Sequence, residues 1–178
     1  DGLLGSFVGV RLADLVGDGV PELIAVANLS ENGDETILQP IIFYYKWHDD
    51  GFGETPAGFL NLGDEKYFVR CYNFDVFNLD NDDDQEIILS LGSPLRGLSI
   101  IDLDKEGNLT MVERLEPSAL KTGIGFVYGV ALDWNRDGYD EILSFSPEGN
   151  VMKIQPYFNR NGRLVQGESK QEIITGMN

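Results

Sequence analysis

The chain has one cysteine and one histidine in 178 residues. A single cysteine, Cys71, rules out a disulfide within the chain and leaves the redox compartment open. It lies in an apolar-rich run, which suits a small core residue. A single histidine, His48, excludes His-cluster metal sites and leaves one candidate for any histidine-based triad. His48 stands beside Asp49 and Asp50 in a segment that reads as a turn, the setting of an exposed loop side chain. Basic residues are scarce as well: 13 Lys and Arg stand against 30 Asp and Glu, for a formal charge of −17. Phosphate binding needs clustered Lys and Arg, so nucleic acid is not an expected partner. No apolar run approaches the roughly 18 residues that cross a membrane as a helix, so direct membrane insertion is not expected. Helical periodicity is also rare; its one window, 116–121, is short enough to be a loop or a single turn. The motifs GxSxG, HExxH and the P-loop are absent. Gly123-Ile124-Gly125 with Gly129 has the wrong spacing for a dinucleotide fingerprint. Paired carboxylates hydrolyse glycosides, but their separation is a three-dimensional fact that 30 acids in a sequence do not reveal.

What the chain does have is strand and turn chemistry. Hydrophobic residues make up 42% and glycine 21 of the 178. Short runs rich in β-branched and aromatic residues recur between Gly, Asp and Asn clusters, which reads as strands joined by turns. The expected strands are 7–12, 23–27, 41–47 and 58–62; then 68–77, 87–91, 98–103 and 109–115; then 125–132, 142–145, 151–157 and 163–166, with 171–175 as one more. Asn28–Gln39 is polar and reads as a loop. The 41–47 run is apolar at both parities, with Ile41, Phe43, Tyr45 and Trp47 on one face and Ile42 and Tyr44 on the other. A strand apolar on both faces is expected to be covered on both. Asp104-Lys105-Glu106-Gly107-Asn108 and Asn159-Arg160-Asn161-Gly162 carry hairpin signals. Asn28-Leu29-Ser30 and Asn108-Leu109-Thr110 match the glycosylation sequon, a pattern short enough to arise by chance.

Between the first and second strands of each group lies one acidic loop. These loops begin at 14, 78 and 133, so the pattern repeats at a scale of one four-stranded unit. The third, Asp133-Trp134-Asn135-Arg136-Asp137-Gly138-Tyr139-Asp140-Glu141-Ile142, spaces side-chain oxygens at positions 1, 3, 5 and 9 and puts Gly at position 6. Calcium is a hard cation that takes six to eight oxygen ligands, and a loop with alternating oxygens can wrap it. Glycine at the sixth place allows the sharp bend, and the seventh residue offers its carbonyl. The ligand set so defined is Asp133, Asn135, Asp137, the carbonyl of Tyr139, and Glu141. The second loop gives Asn78, Asp80, Asp82, the carbonyl of Asp84, and Glu86; its Asp83 stands where Gly is wanted. The first gives Asp14, Asp18, the carbonyl of Val20, and Glu22, with Val16 at the third place, where a side-chain oxygen is missing. The third loop is therefore expected to be the best cation site. These are not EF-hands, because position 12 is Ala25, Leu89 or Ser144 and strands flank each loop. Asp, Asn and Gly also gather in ordinary turns; recurrence in three phases, each loop ending in an acid and then Leu or Ile, argues for ligation.

The segments Ala13–Leu23, Asn78–Ile87 and Ala131–Ile142 resemble the FG-GAP/VCBS repeats of integrin-α-like β-propellers. Gly125-Phe126 and Gly5-Ser6-Phe7 are partial matches to the words that name the repeat. The resemblance implies an all-β fold of about three four-stranded antiparallel β-propeller blades, over 5–66, 67–120 and 121–178, each with a calcium loop between its first two strands. Closed rings hold more blades than that, so further blades from the same chain or another are expected. An opening Asp1 in place of Met fits an excised segment. The resemblance also implies Ca2+ as a structural cofactor, an extracellular or cell-surface setting, and a protein or glycan ligand bound by other loops. Three functions follow as alternatives: a binding or adhesion scaffold, which the lack of catalytic motifs favours; a segment of a calcium-dependent polysaccharide lyase; or an architectural piece of a large assembly. Tyr44, Tyr45, Trp47 and Trp134 are aromatics able to stack on sugars, although the three strand residues are expected in the core.

Overall fold

The computed structural model describes residues 4–30, 38–63, 69–80, 82–92, 97–115, 127–148 and 151–173. The 116–121 window and the Gly125-Phe126 word lie outside them. The described residues are all β, with no helix among them.

Fifteen strands follow one another: β1 (Leu4–Ala13), β2 (Glu22–Ser30), β3 (Gln39–Tyr45), β4 (Trp47–His48), β5 (Gly51–Phe52), β6 (Gly58–Asn61), β7 (Cys71–Phe77), β8 (Glu86–Leu91), β9 (Gly97–Leu103), β10 (Leu109–Leu115), β11 (Tyr128–Leu132), β12 (Glu141–Glu148), β13 (Val151–Asn159), β14 (Leu164–Gln166) and β15 (Lys170–Ile173). They build three antiparallel meanders, β1-β2-β3-β6, β7-β8-β9-β10 and β11-β12-β13-β14. β15 shares the outer edge of the third sheet with β14, pairing with the start of β13 while β14 pairs with its end. A hairpin of two-residue strands, β4 and β5, stands apart.

Alternation explains the packing. In β2 every second residue is buried, because one face of the first sheet packs on the second. Ile24, Val26, Ile42 and Tyr44 on that face meet Cys71, Ile87, Leu89, Ile101 and Leu103. β8 is buried at all six positions. Its Ile88, with Leu98 and Ile100 of β9, turns the other way and packs on Ile142, Tyr157 and Leu164 of the third sheet. Gly129 shows how close that approach is: an added Cβ would lie 2.9 Å from Leu98 Cδ2 and 3.1 Å from Ile88 Cδ1. Thus only the middle sheet is covered on both faces within the described residues.

The outer face of the first sheet is different from what the 41–47 pattern predicts. Ile41, Phe43 and Tyr45 are half-buried, and Phe7 and Phe59 beside them are 67% and 66% exposed. β3 ends at Tyr45, and Trp47 leaves the sheet for the small hairpin, where it is half exposed and meets Phe52 edge-on. β2 also runs on through Asn28 to Ser30, within a span that reads as loop in the sequence. The cause is Asn28: although polar, it is buried and satisfied across the sheets, accepting the Cys71 N–H at 2.7 Å and donating to the Cys71 carbonyl at 2.9 Å. That burial removes Asn28 as a glycan acceptor. Cys71 is a core residue, and burial pushes its thiol up to about 12.

Candidate metal centre

Each acidic loop joins the first two strands of its sheet, and the three are built alike. The ninth residue is a buried glutamate whose carboxylate accepts the N–H of the second residue: Glu22 from Leu15 at 2.9 Å, Glu86 from Leu79 at 2.7 Å, Glu141 from Trp134 at 3.3 Å. In the first loop the Asp14 carboxylate accepts the N–H groups of Gly17, Asp18 and Gly19. Asp133 does the same with Arg136, Asp137 and Gly138 in the third. The fourth and sixth residues of both loops turn left-handed, Gly17 at φ 72° and Gly19 at 82°, Arg136 at 64° and Gly138 at 95°. That backbone aims successive N–H groups at one carboxylate, and glycine lowers its cost.

The second loop departs from this plan. Asp83, at the sixth place, is not among the left-handed residues, so the strain expected there does not arise. Carboxylate oxygens of Asp80, Asp82, Asp84 and Glu86 all lie within 4.8 Å of one another, the one such group among the described residues. Asp84 therefore brings its carboxylate, beyond the carbonyl that the spacing suggests. Asn78, at the first place of this loop, has a buried Oδ1 with no hydrogen-bond partner. Burial pushes Glu86 up to about 8, helped by the charges of Asp80, Asp102 and Asp84. Asp80 is raised by burial and Asp82 chiefly by its side-chain hydrogen bond with Asp84. Like charges this close destabilise one another until protons or a cation intervene.

Asp102, missing from the sequence-derived set, belongs to this neighbourhood. It sits in β9 after Ile100 and Ile101 and before Leu103, and its carboxyl is raised by burial and then by Asp82 and Asp80. A lone acid inside an apolar strand is the signal that marks it. Beside Asp84 a cleft of about 370 Å³ is bounded by Leu15 and Val16 of the first loop, Lys46, and Asp104 to Gly107.

The remaining candidates are placed but not gathered in this way. Val20 donates its N–H to Asp18 at 2.8 Å and Tyr139 donates its N–H to Asp137 at 3.1 Å. Asn135 turns its amide nitrogen to Glu141 at 2.6 Å, and its oxygen accepts the Asp137 N–H at 2.8 Å. In the third loop Asp133, Asn135 and Asp137 thus each accept N–H groups of the loop itself. Trp134 packs edge-on against Phe158, with ring centroids 5.8 Å apart, rather than over the loop. His48 is exposed in the small hairpin.

The donors of the second loop fit a hard divalent cation. All are oxygens and all four can carry charge. Soft ligands are missing, since Cys71 is remote in the core and His48 lies outside the group.

No protein-family model and no curated protein matches the chain. Solved structures do. The exotype rhamnogalacturonan lyase YesX aligns with a TM-score of 0.62 at 19% identity, over 96% of this chain and 34% of that one. The Bacillus licheniformis rhamnogalacturonan lyase PL11 aligns with a TM-score of 0.61 at 19% identity, over 95% and 35%. Rhamnogalacturonan lyase YesW gives 0.60 at 16%, over 96% and 35%. The chain thus spans about a third of each neighbour, and the likeness is one of fold.

Proposed function

We propose that this chain is a set of three propeller blades of the FG-GAP/VCBS type, held by a structural divalent cation in the second loop, and that it serves in a polysaccharide lyase. The convergence of Asp80, Asp82, Asp84 and Glu86 within 4.8 Å carries the cation part of this reading. Calcium is the ion that suits so many hard oxygens in a short, partly exposed loop. The lyase part is supported by solved neighbours that are rhamnogalacturonan lyases aligned over nearly the whole chain. On this reading the cation neutralises the acids and fixes the loop against β9, and the chain's own residues shape one wall of a glycan-binding face. An extracellular setting is part of the proposal, because calcium there is plentiful enough to keep an exposed site filled.

Calorimetric titration of the chelator-treated chain with calcium tests the first part: a site with one ion per chain is expected, and no heat and no shift in melting would overturn it. Incubation with rhamnogalacturonan, read by the unsaturated sugar end that elimination leaves, tests the second, together with binding to the same glycan. Neither cleavage nor binding would set aside the polysaccharide reading and leave the blades as scaffold.

A second reading, in which the chain only binds its glycan or a protein, is favoured by the small hairpin. Trp47 and Phe52 line an apolar groove of about 440 Å³ with Leu12, Val20 and Pro21. Exposed aromatics in a groove suit the apolar face of a sugar ring. Trp47→Ala is expected to weaken glycan binding while leaving the melting temperature unchanged; equal binding by the variant would remove this groove from the glycan site.

A further inference from the structure

Neighbouring loops are clasped to one another by a repeated pair of hydrogen bonds. Gln85 of the second loop donates its N–H to the Asp14 carbonyl at 2.8 Å, and its Oε1 accepts the Asp14 N–H at 3.2 Å. Asp140 of the third loop donates its N–H to the Asn78 carbonyl at 2.9 Å, and its Oδ2 accepts the Asn78 N–H at 2.8 Å. Beyond this shared clasp the two junctions differ, and the difference follows the cation loop.

Asn159 is the last residue of β13 and Leu103 the last of β9, and they take equivalent places, Asn159 opposite Leu164 and Leu103 opposite Leu109. Asn159 is 3% exposed, so its amide has to be paired inside the protein. Its nitrogen donates to the Leu79 carbonyl at 2.6 Å and to the Asp140 carbonyl at 3.2 Å, and its oxygen accepts the Gly162 N–H at 3.0 Å. One side chain thus joins the second loop, the third loop and the turn between β13 and β14. That turn sits on Asp80: Gly162 has φ 81°, and a Cβ added to it would lie 2.8 Å from the Asp80 Cβ. Leu79 is held from both sides, since its N–H goes to the Glu86 carboxylate at 2.7 Å and its carbonyl to Asn159. Peptide planarity carries a fixed Leu79 carbonyl into a fixed direction of entry to Asp80. Leu103 has no amide with which to do this. It lines the 370 Å³ cleft with Leu15 and Val16, beside the loop whose third place lacks a side-chain oxygen. The amide therefore stands against the loop whose carboxylates converge, and an apolar side chain against a loop whose carboxylates do not gather in that way.

We propose that Asn159 is a positioning residue for the cation site, and that the third sheet completes this site from outside its loop. Docking of the third sheet holds Leu79 and Asp80 so that Asp80 meets Asp82, Asp84 and Glu86 about one ion. The coupling is reciprocal: an ion in the second loop tightens the hold of the third sheet on the second. This role for Asn159 rests on the cation reading of the second loop.

Calorimetric titration of the whole 178-residue chain with calcium, beside melting in chelator, tests it. Asn159→Leu installs the side chain that β9 carries at the equivalent place. Gly162→Ala keeps Asn159 but pushes the turn from Asp80, so the failure of one variant to fold leaves the other. Asn28→Ala controls for stability alone, because Asn28 is the same kind of buried amide link, made to Cys71 between the first and second sheets. Asn159→Leu and Gly162→Ala are expected to raise the calcium dissociation constant about tenfold or more, the effect of losing one or two hydrogen bonds. Asn28→Ala is expected to lower the melting temperature in chelator and to leave the dissociation constant within about twofold, as distant sites act independently. In the unaltered chain calcium is expected to slow hydrogen exchange at the Gly162 and Asp140 amides, a measurement that needs no variant to fold. A parent chain that binds no calcium would overturn the cation reading and this role with it. Three results would overturn the role and leave the cation reading standing: a dissociation constant unchanged in the folded Asn159 and Gly162 variants, one raised equally in Asn28→Ala, or exchange at Gly162 and Asp140 unmoved by calcium.

Discussion

A carboxylate whose lone pairs are filled by loop N–H groups is a poorer cation ligand than one that faces other carboxylates. Asp133 and Asp14 each accept three loop N–H groups, whereas Asp80, Asp82 and Asp84 face one another, with Asp80 accepting the Asp82 N–H at 3.1 Å. Asp82→Ala should therefore abolish most of the gain in melting temperature that calcium gives, and Asp137→Ala should abolish less of it. An ion at a hundred times its dissociation constant stabilises by about 2.7 kcal/mol, or roughly 5–10 °C in a domain of this size. Scanning fluorimetry of both variants in calcium and in chelator decides the ranking; a larger loss in Asp137→Ala would return the site to the third loop. The spacing of oxygens was legible in the sequence, and it ranked the third loop first. Which oxygens are free to turn towards one point depends on backbone left-handedness at the fourth and sixth places, and no count of oxygens carries that. The same residues set a pH dependence. Glu86 is raised to about 8, and Glu22 and Glu141 are raised by burial as well. A carboxyl with a higher pKa folded than unfolded binds more protons when folded, so stability falls as pH rises between the two values. In chelator the melting temperature should decline from pH 5 to pH 8, and Glu86→Gln should flatten that decline. With calcium bound the charge is paired and the slope should be smaller. A melting temperature that rises over this range in chelator would contradict the assignment.

The strands show why some elements read clearly and others did not. Period-2 patterns located a strand in each expected place, because packed sheet faces demand alternation and turn residues bound each run. Two misreadings have one physical source. By polarity alone Asn28 reads as loop, and by its aromatic side chain Trp47 reads as core. Burial depends on partners as well as polarity. Asn28 is buried because its amide satisfies both the N–H and the carbonyl of Cys71 on the next sheet, and Asn159 repeats the device by donating to the Leu79 carbonyl at 2.6 Å. Asn28→Ala should leave two buried backbone groups unpaired. The expected cost is about 2–6 kcal/mol, since each such group costs roughly 1–3. Urea denaturation of the variant measures it. A change below about 0.5 kcal/mol would mean that water replaces the amide and that the Asn28 link contributes little.

On the scale of the whole molecule, three sheets in a row make stability a matter of neighbours. β8 is buried throughout, and the middle sheet is packed on both faces, whereas the end sheets each turn one apolar face outward. In such an array each unit is stabilised by its own hydrogen bonds and by the interfaces on either side, so end units open more often than central ones. The number of units and their order could be read from the loop spacing, because one loop marks each sheet. Which faces would be left uncovered could not, because that depends on what stands at each end of the row. Hydrogen exchange separates the levels. Amides of β8 and β9 should be the slowest to exchange, with protection falling through β2 and β12 to β6, β14 and β15. Chelation should speed exchange in the second loop first. It should then spread to residues about Asp14 and Asp140, because the clasps from Gln85 and to Asn78 tie those loops to the cation loop. Chelation confined to the second loop would show that the clasps transmit nothing. Uniform protection across all three sheets would show a single cooperative unit in place of a row of coupled ones.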